Sequence, residues 1–103
     1  MTVRVMVLAT VKNEDSTAFE SAYSKVAATV AGTPGHVRDE LLRDETRDGG
    51  YILLSEWESR ELFLAWEDAP VHREATTPMR PYWAGRVERH IYPLRATAEG
   101  VRA

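Results

Sequence analysis

Two tryptophans, a phenylalanine and a histidine fall between Trp57 and His72, a span of sixteen residues in a chain of 103. An imidazole titrates near pH ~6.5 when unperturbed, so His72 suits a general base that takes a proton from a phenol. Trp57, Phe63 and Trp66 present flat faces on which a polycyclic molecule can stack. The same rings bury large areas, so an ordinary core is the competing reading for all three. A helix-surface histidine with local hydrogen bonds competes for His72. His90 is a second acid–base candidate, on the strand face shared with Arg86, Glu88 and Tyr92. Arg86 has the planar donor fork that binds a phenolate or carboxylate. His36 follows Pro34-Gly35, where it either contacts a ligand or faces water. Tyr82 and Trp83, adjacent aromatics between Pro81 and Gly85, fit a lid over a pocket or a subunit contact. Tyr51 shares its strand face with Trp57 and completes the aromatic candidates for substrate binding.

Composition removes several kinds of chemistry. There is no cysteine, which excludes disulfides, thiolate nucleophiles and zinc–thiolate sites. The three histidines stand at no metal-binding spacing, and no His-x-x-x-His pair occurs, so no metal is expected. Gly49-Gly50 reads as a hairpin turn rather than a phosphate loop, and no cofactor is expected. The net charge of −3, with arginines scattered among acids, gives no footprint for nucleic acid. No run approaches the ~20 apolar residues of a bilayer span. The N-terminus lacks a secretory pattern. A cytoplasmic location is the expectation.

The elements that must position these residues follow from periodicity. A chain of this length is one domain that buries roughly 65% of its unfolded surface, enough for one modest core. Val3, Val5, Val7 and Val11 alternate as a strand, with Met6 and Leu8 on its other face. Glu14-Asp15 and Ser16 mark a capped helix start, and Phe19, Ala22, Tyr23, Val26 and Val30 form its apolar stripe. Gly32, Pro34 and Gly35 end it. Val37–Leu42 is a charged strand, Asp44–Gly50 a hairpin loop, and Tyr51–Trp57 a strand apolar on both faces. Ser59 caps a helix carrying Leu62, Phe63 and Trp66, and Pro70 opens a further turn that holds His72. Val87–Tyr92 closes the order βαββαβ. Right-handed crossovers then place the helices on one face of a four-stranded antiparallel sheet, the ferredoxin-like α+β arrangement. Residues 1–94 form this domain, and 95–103 are a loose tail. The apolar second face of the inner strands calls for a cover, which a second copy of the chain would supply as a homodimer.

Pro34-Gly35, Leu41-Leu42-Arg43-Asp44, Tyr51–Ser59, Phe63-x-x-Trp66 and Pro70-Val71-His72 together resemble the antibiotic biosynthesis monooxygenase family across about residues 3 to 94. The resemblance implies a ferredoxin-like domain that dimerises through its sheet into an α+β barrel. It also implies cofactor-free oxygenation of a small aromatic, polyketide-type substrate. Cyclases, haem-degrading enzymes and non-catalytic proteins share the family's shape. Haem-degrading members carry a first-strand asparagine and a histidine nine or ten residues beyond the tryptophan matching Trp66. Here Met6, Val7 and Leu8, then Ala75 and Thr76, stand in those places. The cofactor-free oxygenases carry an asparagine four residues before the tryptophan matching Trp57, where this chain has Leu53.

Overall fold

The computed structural model describes residues 2–101. It contains β1 (Val3–Thr10), α1 (Ser16–Val30), β2 (His36–Asp44), β3 (Gly50–Trp57), α2 (Arg60–Asp68), α3 (Pro70–Thr76) and β4 (Glu88–Pro93), with 3-10 turns at Asn13–Asp15 and Thr77–Tyr82. The four strands lie in the order β2-β3-β1-β4, every neighbouring pair antiparallel. This is the expected ferredoxin-like α+β fold.

Strand parity decides what the sheet presents to the helices. Val3, Val5 and Ala9 of β1 and Tyr51 and Trp57 of β3 are buried on the helix side. α1 lays Phe19, Ala22, Val26 and Val30 onto them, which are all buried. The opposite parity puts Arg4, Met6 and Leu8 beside Glu56, Leu54 and Ile52 on the outer face. These apolar outer residues are half-buried at most in a single chain.

The helix ends follow local rules, with one exception. Ser59 is extended and its Oγ accepts from the Leu62 N–H at 3.1 Å, capping α2. Ala69 is also extended, as a residue before proline must be, so α2 stops and α3 restarts at Pro70 in a new direction. Ser16 does not cap α1 by accepting a hydrogen bond. It is the first helical residue, and its Oγ donates to the Asn13 carbonyl of the preceding 3-10 turn.

Gly35 is where α2 meets the sheet. Its φ is +87°, and a Cβ there would lie 2.6 Å from Leu62. Its carbonyl accepts from the Glu58 N–H at 2.8 Å, tying the start of β2 to the end of β3. The aromatic loop Met79–Gly85 is held down rather than free. Met79 is buried, Trp83 bridges to Val11, and the Ala84 N–H donates to the Thr10 carbonyl at 2.8 Å. Residues 94–101 have no regular structure, and the last two of the expected tail lie outside the described residues.

Candidate functional site

A cavity of about 230 Å³ lies between the helix side of the sheet and the helices. Val5, Val7, Leu53 and Ser55 form its floor, and Asp39 rises at one side from β2. Tyr23, Val26 and Val30 of α1 make one wall. Phe63, Trp66 and Glu67 of α2, with His72 and Thr76 of α3, make another. Met79, Arg80 and Trp83 close the end supplied by the second 3-10 turn, and Val87, just ahead of β4, and Arg89 of β4 reach in.

Trp57 organises the aromatic side of this space. Its ring centroid is 5.5 Å from Phe63, 5.4 Å from Trp66 and 5.1 Å from His36. Ser55 shares its strand face, two residues back, and accepts from the Trp57 Nε1–H at 3.0 Å. The indole is 1% exposed, so its orientation is fixed by packing and by that bond.

His72 stands edge-on to Trp66, with centroids 4.4 Å apart and planes at 86°. Burial holds its pKa below 6.5, the Glu67 carboxylate pulls it back up, and the Arg80 guanidinium pushes it down again. A half-buried imidazole held in this way is neutral at pH 7, with a lone pair free to take a proton. Thr76 fixes the helix beside it, its Oγ1 donating to the His72 carbonyl at 2.9 Å.

The cavity's end wall is rich in donors. Arg80 Nη2 donates to Thr76 Oγ1 at 2.9 Å, and its guanidinium lies 5.6 Å from the Trp83 ring centre. Arg80 Nε and Trp83 Nε1 are both buried with no hydrogen-bond partner among the described residues. A buried donor without a partner costs about 1–3 kcal/mol, and both atoms are enclosed within the wall. At the rim, Arg89 makes a two-pronged pair with Glu67, at 3.0 and 2.7 Å, while lying over Phe63.

Of the residues singled out from the sequence, Trp57, Phe63, Trp66, His72 and Trp83 meet in this cavity. The other five do not line it. Tyr51 is core: its ring lies 4.9 Å from Phe19 and its hydroxyl donates to Glu20 Oε2 at 2.6 Å. Tyr82 packs against Phe19 at 6.5 Å. His36 sits behind Trp57, its Nε2 hydrogen-bonded to Asp39 Oδ2. His90 pairs in register with Met6, on the outer face, where it is exposed beside Glu88 and Tyr92. Arg86 is exposed ahead of β4. The strand face shared by His90 and Tyr92 therefore points away from the cavity, and Arg89, next to His90, points in. Sequence reading also passed over Tyr23, Asp39, Ser55 and Arg80 as site residues. Parity with Trp57 marks Ser55. Nothing in the local sequence marks Arg80, which reaches the cavity through the packing of the 3-10 turn.

The geometry has counterparts in known proteins. The sequence profile of the antibiotic biosynthesis monooxygenase family matches residues 2–77. Protein SchA of Streptomyces halstedii is 33% identical over 97 residues, which is 94% of this chain but 26% of that protein. Deoxynogalonate monooxygenase of Streptomyces nogalater is 38% identical over 45 residues, 44% of this chain and 38% of that protein. The chain thus spans well under half the length of either of these relatives. Among solved structures, a variant of SnoaB, a cofactor-independent oxygenase from Streptomyces nogalater, superposes with a TM-score of 0.77 at 27% identity, covering 93% of this chain and 95% of that one. With its ferredoxin-like sheet, its Trp57-centred cavity and a match across most of its length, the chain belongs to the antibiotic biosynthesis monooxygenase family.

Proposed function

We propose that the protein is a cofactor-independent monooxygenase acting on an aromatic, polyketide-type substrate in antibiotic or secondary-metabolite biosynthesis. The observation that carries this reading is the cavity itself. One chain builds an aromatic-walled space that holds a neutral, desolvated histidine within reach of the Arg80 charge. SnoaB and deoxynogalonate monooxygenase, named for the same class of chemistry, support it at the level of the family.

The residues divide the work as follows. A flat, hydroxylated ring system lies against Trp66, which the buried Trp57 backs. His72 takes a proton from an acidic phenol or from a ring CH2 conjugated through the fused rings with a carbonyl. The resulting anion is delocalised onto the carbonyl oxygen, and the charge of the Arg80 guanidinium, which also acts on His72, favours it. Such an anion is electron-rich enough to reduce O2 directly. Oxygen bonds to the ring carbon as a hydroperoxide, and loss of water leaves a new carbonyl. One oxygen atom enters the product and the other leaves as water, so CH2 plus O2 gives C=O plus H2O. The volume of about 230 Å³ is below the ~300–1,000 Å³ of ordinary ligand pockets, which favours few fused rings over a long polycycle.

A homodimer is part of the same proposal. Met6, Leu8, Ile52 and Leu54 form an apolar band on the sheet's outer face, and a second copy packed there would cover it. The test of the function is oxygen uptake by metal-free protein given a hydroxylated anthrone. His72→Gln is expected to lower kcat by about 100-fold or more, in the range general bases contribute. Unchanged turnover in that variant would remove His72 from the reaction.

A further inference from the structure

Beside Trp57 lies a second polar centre that the proposed reaction leaves unused. His36 and Asp39 are three residues apart on β2, a spacing that places side chains on opposite faces of a regular strand. Here they share a face, because the register with β3 shifts between His36 and Arg38. His36 is paired with Trp57 while Asp39 is paired with Ser55, and the extra residue, Val37, is pushed out to 48% exposure. Bulges of this kind re-aim side chains, often next to active sites.

The re-aimed pair is tightly built. His36 Nε2 donates to Asp39 Oδ2, the imidazole packs edge-on against Trp57, and the two side chains are 8% and 19% exposed. Asp39 lines the cavity and His36 does not. The second carboxylate oxygen, Oδ1, makes no hydrogen bond among the described residues. Tyr23 of α1 faces the same corner, and Ser55 lies across on β3.

We infer that Asp39, oriented by His36, is a hydroxyl-recognition subsite: it accepts a hydrogen bond from a phenolic O–H of a ligand in the cavity. This rests on the reading of the cavity as an aromatic-ligand site and adds a specificity to it. Asp39 then gives the cavity a hydrogen-bond acceptor in a mostly apolar lining, matching a flat molecule that carries a hydroxyl at that position. Burial pushes the Asp39 carboxyl above its ordinary range, and the charge and hydrogen bond of His36 oppose that push. The same burial, aided by Asp39 and Glu40, drives the Tyr23 hydroxyl up to about 12, so Tyr23 stays a neutral neighbour. In this arrangement Asp39 touches the ligand and His36 is a positioning residue.

Calorimetric titration with 1-naphthol and with 1-methoxynaphthalene tests the assignment, because the two share a ring system and only the first can donate. Wild-type protein is expected to bind 1-naphthol about tenfold more tightly than the ether, as a hydrogen bond to a charged acceptor allows. Asp39→Leu should bring the ratio close to one while leaving ether affinity in place. His36→Gln, whose amide nitrogen reaches the place of Nε2, should keep the preference, and His36→Phe should weaken it. Equal binding of both probes by wild type, or a preference that survives Asp39→Leu, overturns the subsite and leaves the cavity reading standing. Binding of neither probe overturns both. Should Asp39→Leu fail to fold, the wild-type ratio and the two His36 variants decide the matter.

Discussion

The chemistry proposed for the cavity hangs on the protonation of one imidazole. His72 is depressed below 6.5, first by burial and then by Arg80. The acid limb of kcat/KM is therefore expected below pH 6.5, with the rate flat from there to neutrality. Replacing Arg80 with Met should move that limb up toward 6.5, since the guanidinium opposes imidazolium formation; a pH–rate profile of the two proteins checks the direction. Stability follows the same sign. The unfolded chain binds the proton more readily than the folded one, so stability is full above pH 6.5 and declines as pH falls. His72→Gln should flatten that part of a denaturation-against-pH curve. At this scale the sequence was a partial guide. Trp57, Phe63, Trp66 and His72 were legible because helix spacing and strand parity place them together. Asp39 and His36 were not legible as a pair, because a bulge reverses the parity that their spacing implies. His90 is a candidate only if its strand face points inward, which sequence leaves open: with polar residues on both faces of β4, parity says which residues share a face but not which face is inward.

The elements hold these residues through a few junctions, and two of them are exposed to direct test. Gly35 has a left-handed φ of +87° and no room for a Cβ beside Leu62. Gly35→Ala should cost about 1–3 kcal/mol from backbone strain alone, with the Leu62 overlap adding to it. Thermal unfolding should show a lower midpoint, and an unchanged midpoint would contradict the packing described. Ser59→Ala removes the cap of α2 and should cost about 1 kcal/mol by chemical denaturation. Element order, the Ser59 cap and the Pro70 restart were all readable in the sequence, since caps and prolines act locally. The 3-10 turn over Thr77–Tyr82 was not, because what pins Met79 and Trp83 is their contact with distant β1 and α1 rather than any short-range pattern.

On the scale of the whole molecule, the fold completes the cavity but leaves one sheet face unfinished. Leu42 and Tyr92 remain 40% and 48% exposed there, around the half-buried band on β1 and β3. Sedimentation equilibrium at micromolar concentration is expected to give twice the 11.6 kDa chain mass, and Leu54→Lys should shift it toward the single-chain value. A monomer in the wild type would leave that face without the proposed cover. Since the cavity lies on the helix side of the sheet and the apolar band on the other, loss of the dimer should affect activity less than loss of His72. The central claim, that this cavity lets a bound aromatic anion reduce O2 without a cofactor, is tested most directly by isotope incorporation. Metal-free protein, a hydroxylated anthrone and 18O2 should yield a quinone carrying one labelled oxygen, with one O2 consumed per product and far less in His72→Gln. A product that has lost water without taking up label, with no O2 consumed, would contradict the account and mark the cavity as that of a cyclase.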